Sequence, residues 1–191
     1  MVNSRRKQQK PARQGFKKLV RLERERNDRL PDTTMIIVDA KSIKNTYLAQ
    51  LKGYDGGKKI SGIKLHVGVD ILGLPHATFI TTANITDRNG AVEMLEIHAS
   101  DLPNVTKVLC DGGYTGENFE KEVRRIIGAE VEIAKRSELH KFSVIPKRWV
   151  VERTFGWLEN CRRLWKNCER LIHTSLQMTA LAFISLLLNR W

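Results

Sequence analysis

Met35-Ile-Ile-Val38 is a short, unbroken and mostly β-branched run that stops at Asp39. A strand apolar on both faces needs cover from both sides, so this run reads as the central strand of a sheet flanked by helices. The remaining pattern agrees with an α/β fold. Ile63 to Ile71 alternates as a second strand, Leu72-Gly-Leu-Pro75 turns the chain, and Thr- and Ile-rich Ala77 to Ile85 is a third, which gives an antiparallel meander. Lys52 to Lys59, with Gly53, Gly56 and Gly57, is loop chemistry. Thr86-Asp87 caps a helix ending near Asp101-Leu-Pro103, Val105 to Cys110 is a fourth strand, Glu117 to Ile127 a helix and Val131 to Lys135 a strand. A strand-helix-strand unit of this kind implies parallel pairing. Pro146 opens a long helix through Trp149, Val150, Phe155, Leu158, Cys161 and Leu164, and an apolar helix from Ser175 to Asn189 closes the chain as a C-terminal helical region.

The 191 residues suffice for one domain, residues 31–191, preceded by a tail. Residues 1–30 hold 11 Lys and Arg against 3 Asp and Glu, and Arg5, Arg6, Lys7, Lys10 and Arg13 lie among Gln, Pro and Gly. Without hydrophobic periodicity there, this reads as a disordered basic tail. Residues 135–170 hold 10 and 4, so two basic blocks of +8 and +6 flank a remainder of −2 within a net charge of +12. Such blocks suit a polyanion, because each phosphate contact releases counterions. Cys110, Cys161 and Cys168 are odd in number and show no zinc spacing, and Thr179 to Leu188 is too short to cross a bilayer. The expectation is a cytoplasmic protein with no membrane partner.

Two apolar strands each end in an aspartate, Asp39 and Asp111. If those strands are parallel neighbours, both carboxylates project at one sheet edge and offer hard oxygen donors to a divalent cation such as Mg²⁺. Asp111-Gly-Gly is equally a common turn. Glu152 is a third candidate, on a helix whose positions 148, 152, 156, 159 and 163 are Arg, Glu, Gly, Glu and Arg. Read alone, that helix is a solvated face with an Arg148–Glu152 ion pair. Gly156 costs about 1 kcal/mol there relative to alanine, which close approach by another backbone would explain. Arg162, Lys166 and Arg170, spaced by four, make a basic ridge. Asp70, at the end of the antiparallel second strand, belongs at the opposite edge, and Asp87 is more simply a helix cap. His66, His76 and His98 read as core or surface histidines.

From about Ile36 to Trp191 the chain resembles bacterial insertion-sequence transposases of the DDE type, in the insertion-sequence-five group. The matching text is Ile37-Val-Asp39-Ala-Lys-Ser-Ile-Lys-Asn, Gly53-Tyr-Asp-Gly-Gly-Lys-Lys-Ile-Ser-Gly-Ile-Lys64, Thr86-Asp87-Arg-Asn-Gly-Ala, Asp111-Gly-Gly-Tyr-Thr-Gly, Pro146-Lys-Arg-Trp-Val-Val-Glu152-Arg-Thr-Phe-Gly-Trp-Leu and Cys161-Arg-Arg-Leu-Trp-Lys-Asn-Cys-Glu-Arg170. The resemblance implies a ribonuclease-H-like mixed sheet, three antiparallel strands followed by parallel ones, and a catalytic set of Asp39, Asp111 and Glu152. It also implies a two-ion site for Mg²⁺ or Mn²⁺ that cleaves element ends and joins them to target DNA. Lys58, Lys59, Lys64, Arg148, Arg162 and Lys166 are the expected phosphate contacts. In the related Tyr-Arg-Glu-Lys signature, Arg148 and Glu152 keep their places, whereas Ile145 stands at the Tyr position and Glu159 at the Lys position.

Family members usually carry an N-terminal DNA-recognition region, so the expectation is a catalytic half. It would act on terminal inverted repeats and target DNA in the bacterial nucleoid, as a homodimer or larger multimer, with the product of an upstream reading frame as a further partner. The competing readings are a DNA-binding remnant without catalysis, separated by a metal-dependent cleavage assay, and a ribonuclease-H-like nuclease, separated by strand joining.

Overall fold

The computed structural model describes residues 10–134 and 149–189, with the backbone alone for residues 10–15. In chain order the elements are α1 (Lys10–Arg26), β1 (Met35–Lys44), β2 (Gly53–Asp55), β3 (Ile60–Val69), β4 (Pro75–Thr82), α2 (Asp87–His98), β5 (Lys107–Cys110), α3 (Glu117–Ile127), β6 (Glu130–Ile133), α4 (Trp149–Glu159) and α5 (Ile172–Leu188). The sheet runs β2-β3-β1-β5-β6, with β4 sharing the outer edge of β3. β1, β3 and β4 pair antiparallel, whereas β5 and β6 extend the sheet in parallel. The fold class expected from the sequence is therefore the one observed.

Alternation along β1 divides the core. Ile36 and Val38 pack with Met94, Leu95, Val108, Phe119 and Val123 under α2 and α3. Ile37 faces the other way, with Val67, Leu109, Val151, Phe155 and Phe183 under α4 and α5. Each of these fully buried side chains contributes about 1.5–3 kcal/mol, which fixes the central strand between two helical layers. α4 is pinned to the β3–β4 turn, where the Thr154 hydroxyl donates to the Gly73 carbonyl at 3.1 Å and Arg153 Nη2 to the Leu72 carbonyl at 3.0 Å. Gly73 has φ +79°, and a Cβ there would stand 2.8 Å from Thr154 Oγ1. A side chain at this position would be strained and would displace the helix.

Five expectations need correction. Residues 10–26 are helical, because Phe16, Leu19 and Val20, followed by the buried Glu23 and Arg24, form a stripe at helical spacing that the more basic N-terminal half conceals. β1 continues five residues past Asp39, held by β3 from Ile37 to Lys44. The glycine-rich stretch after Lys52 contains the short strand β2. α4 stops at Glu159, so Arg162 and Lys166 lie in turns and form no helical ridge. The cause is tertiary: Asn167 is drawn to the end of β1, where its N–H donates to the Lys44 carbonyl and its carbonyl accepts from Thr46 N–H, both at 2.9 Å. Lastly, a Cβ on Gly156 would meet nothing within 4 Å among the described residues, so none of their backbone approaches it. Residues 135–148, with Lys135, Ile145, Pro146 and Arg148, lie outside the described residues.

Candidate active site

The parallel ladder between β1 and β5 pairs Met35 with Lys107, Ile36 with Val108 and Ile37 with Leu109, a constant offset of 72 residues. Asp39 and Asp111 are also 72 residues apart, so they stand at the same level two residues past the last pair. Here β5 has ended at Cys110 and the chain turns through Gly112–Tyr114. That departure opens the sheet between β1 and β5. Asp111 begins the turn, its Oδ1 accepting from Gly113 N–H at 2.9 Å, so the turn chemistry legible in Asp-Gly-Gly is real. Asp39 stays paired with Val67 on the other side.

Burial, together with the negative charges of Asp111 and Asp87, pushes the Asp39 carboxyl up to about 6. The Ala40 N–H, 2.7 Å from Asp39 Oδ1, and the Lys58 ammonium oppose that shift and do not offset it. A carboxylate in such surroundings favours a nearby cation or a proton. Tyr114 lies beneath the same acids, 1% exposed, and its hydroxyl has no hydrogen-bond partner among the described residues. Burial and the charges of Asp39, Cys110, Asp87 and Asp111 drive its phenol well above the usual range.

Glu152 is exposed on α4. Glu159, seven residues later and so on the same helix face, pairs with Lys41 of β1, whose ammonium also lies over the Phe155 ring. α4 thus packs on the sheet face that Ile37 and, by alternation, Asp39 and Lys41 share. Among the described residues, no group of three His, Cys, Asp or Glu side chains is arranged to hold a metal ion. The register sets Asp39 level with Asp111, and Glu152 is carried by α4, which packs on the sheet face of Asp39.

The lysines divide. Lys64 is 5% exposed and its ammonium is taken up inside the protein, donating to the Ile85 carbonyl at 2.8 Å and lying 2.7 Å from Asp87 Oδ1 and 3.4 Å from Asp55 Oδ2. Lys64, one of the expected phosphate contacts, thus has its ammonium shared between two carboxylates of its own chain. Lys58 donates to the Ala40 carbonyl at 3.1 Å, next to Asp39, while Lys59 is exposed on the hairpin. Arg162 is exposed, and Lys166 lies 4.3 Å over the ring of Trp165, itself 63% exposed.

Sequence reasoning underrated Asp87 and passed over Asp55. Thr86 caps α2 through Oγ1, accepting from Asn89 N–H at 3.2 Å, which frees Asp87 to bind Lys64. The Ser42 hydroxyl, 2.6 Å away, and the Lys58 N–H and Lys64 ammonium hold the Asp55 carboxyl down at about 2. Their signal is a buried lysine opposite two acids, which becomes visible only once the strands are paired. Asp70 sits at the far end of β1 from the acid pair, fully buried between Arg24 and His76.

Comparison with known proteins follows the same lines. The chain is 35% identical over 118 residues to a Burkholderia cepacia protein assigned as transposase for insertion sequence element IS402, a match covering 57% of this chain and 54% of that protein. The chain therefore spans about half the length of the curated relative it matches. Among solved structures it is similar to a chain of the simian T-cell lymphotropic virus intasome in complex with PP2A regulatory subunit B56 gamma. The TM-score there is 0.52 at 16% identity, covering 78% of this chain and 47% of that one. It is also similar to the BIV integrase catalytic core, with a TM-score of 0.47 at 10% identity over 78% of this chain and 82% of the other. The likeness to the intasome chain is one of fold, the ribonuclease-H-like mixed sheet that the family resemblance implies. The family model for the transposase DDE domain matches residues 30–188, which include β1 through α5 and both register-matched aspartates, and the chain belongs to that family.

Proposed function

We propose that this chain is the catalytic domain of a DNA transposase of the insertion-sequence-five group, with Asp39, Asp111 and Glu152 as its catalytic carboxylates. The observation that carries the reading is the level pair Asp39 and Asp111 at the opening between β1 and β5. The two acids suit a hard divalent cation: both donate oxygen, and Asp39 is under electrostatic pressure that a cation relieves. Mg²⁺ usually takes only one or two protein carboxylates and fills its remaining positions with water and phosphate, so a two-carboxylate floor is enough to seat it. When bound, a divalent ion supplies Lewis-acid stabilisation of charge at a phosphate. Asp39 and Asp111 would hold Mg²⁺ or Mn²⁺ from the sheet, and Glu152 would complete a two-ion set from α4.

The protein's own contribution is position. Burial keeps Asp39 fixed on β1, the turn at Gly112–Tyr114 anchors Asp111 through Gly113 N–H, and Lys58 lowers the negative potential beside the Ala40 carbonyl. Lys59, Arg148, Arg162 and Lys166 would bind phosphates of the duplex and set its register. The substrates would be terminal inverted repeats and target duplex in the bacterial nucleoid, bound by two or more copies of the chain together with any product of an upstream reading frame.

Incubation of the full chain with Mg²⁺ and a duplex ending in its element's inverted repeat tests the reading. Nicking at the repeat end followed by joining to a second duplex is expected. Asp39→Asn should abolish both, by at least a hundredfold, while duplex affinity stays equal or rises slightly because a negative charge beside the phosphates is lost. Nicking without joining would favour a nuclease, and full activity of Asp39→Asn would remove Asp39 from the mechanism.

A further inference from the structure

Asp39 is not the only charged residue on its face of β1. Alternation along the strand puts Ile37, Asp39 and Lys41 on the side that α4 covers, with Lys41 two residues, about 6.6 Å, beyond the aspartate. α4 sets two of its residues over Lys41. The Lys41 ammonium lies 5.8 Å from the centroid of the Phe155 ring and pairs with the Glu159 carboxylate. Phe155 is buried and forms a fixed wall. The ion pair, by contrast, is open to water: the Lys41 side chain is 32% exposed and the Glu159 side chain 57%.

α4 is held in place by other means. Val150, Val151, Phe155 and Leu158 are buried in the core beneath it, and Arg153 and Thr154 tie it to the β3–β4 turn. An ion pair this exposed adds little to stability, so separating its partners costs little. The other lysines around Asp39 are anchored more firmly, Lys58 on the Ala40 carbonyl and the buried Lys64 between Asp55 and Asp87. Lys41 is held by a carboxylate that itself stands in solvent, and another anion can take that carboxylate's place. Its ammonium is a compact charge on a flexible stem, which suits it to accept a phosphate oxygen in exchange.

We infer that Lys41 forms a phosphate subsite beside Asp39 and that Glu159 fills this subsite in the DNA-free chain. When a duplex docks, the backbone phosphate next to the one at Asp39 replaces the Glu159 carboxylate on the Lys41 ammonium, and Glu159 turns to solvent. The inference rests on the transposase reading and adds to that site a contact and the internal anion that guards it. Its consequence is discrimination of position. A phosphate that arrives out of line with Lys41 meets the negative charge of Glu159, whereas one in line displaces it.

Fluorescence anisotropy of the full chain in chelator tests this, with a labelled duplex ending in the inverted repeat and a series of salt concentrations. The informative variant is Lys41→Met/Glu159→Gln, because it leaves the net charge unchanged. A surface pair that DNA never meets would give wild-type binding in that variant. The subsite predicts affinity lower by about five- to tenfold at about 0.1 M salt, and a log–log salt slope shallower by about 0.9, the loss of one phosphate contact. Glu159→Gln alone should bind about threefold more tightly than the wild type, since the competing carboxylate is gone. Lys41→Arg/Glu159→Gln should match that single variant, since the cation is kept. Circular dichroism of each variant confirms that its fold is kept. Wild-type affinity and slope in the charge-neutral double variant, or Glu159→Gln binding no tighter than the wild type, would overturn the inference and leave the transposase reading standing. Failure of the wild type to bind the duplex would overturn that reading as well.

Discussion

At the scale of single residues, buried ionisable groups dominate the electrostatics of this domain. His66 is fully buried on β3, its Nε2 2.9 Å from the Thr81 hydroxyl and its ring pressed against Gly90, where a Cβ would lie only 2.0 Å away. Burial lowers its pKa to about 4. Below pH 6.5 the unfolded chain therefore takes up a proton that the folded one refuses until about pH 4, so the His66 contribution to stability falls as pH drops through that window. The loss amounts to about 3 kcal/mol across it. Asp39 acts in the opposite sense, because its raised folded value means that the folded state binds a proton more tightly than the unfolded chain below about pH 6. Denaturant unfolding of the wild type and His66→Gln at several pH values separates the two: the difference between their stabilities should shrink as pH falls from 7 to 4. A constant difference would show that His66 titrates normally in the fold. The aspartates themselves were legible as candidates because each ends an apolar run. Lys64 was not legible, since spacing alone cannot tell a lysine that reaches solvent from one enclosed by Asp55 and Asp87.

At the scale of elements, α1 shows how a helix can be hidden in a basic stretch. Phe16 packs on Phe183 at 6.1 Å between ring centroids, Val20 meets Leu74 and Leu187, and Arg24 reaches the buried Asp70. Burial alone would raise the Asp70 pKa, but His76 at 3.1 Å, the Leu72 and Leu74 N–H groups and Arg24 outweigh it and hold the carboxyl below 3.8. This stabilisation is present above that pH and is lost as pH falls through the lowered folded value. Asp70→Asn leaves the Arg24 guanidinium buried without its counter-charge and should cost about 3–5 kcal/mol. By contrast, Asp32→Asn breaks the Arg21–Asp32 pair, in which Arg21 is 55% exposed, and should cost at most about 1 kcal/mol. Denaturant midpoints rank the two, and equal effects would mean that α1 is docked by its apolar stripe alone. β3 to β6 and α2, α3 and α5 were readable because their periods are local, whereas β2 and the second half of β1 were not. The end of α4 was not, since no helix breaker follows Glu159 and the pairing of Asn167 with β1 decides it.

At the scale of the whole molecule, one parallel ladder brings distant sequence to one place. β1 and β5 are separated by a hairpin, a third strand and a helix, yet their register sets Asp39 level with Asp111. The three-antiparallel, two-parallel sheet was recoverable from element order. The gathering of Tyr54, Lys58, Arg88 and Gly113 around the opening was not, because it depends on how the hairpin and α2 fold over the sheet. The central claim is that this opening is a divalent-cation site built on the two aspartates. Titration of the folded chain with Mn²⁺, followed by the loss of its free-ion paramagnetic signal, measures that directly and needs no DNA. The account predicts saturable binding by the wild type, at least tenfold weaker binding in both Asp39→Asn and Asp111→Asn, and a smaller loss in Glu152→Gln. Binding that is unchanged in both aspartate variants would contradict it.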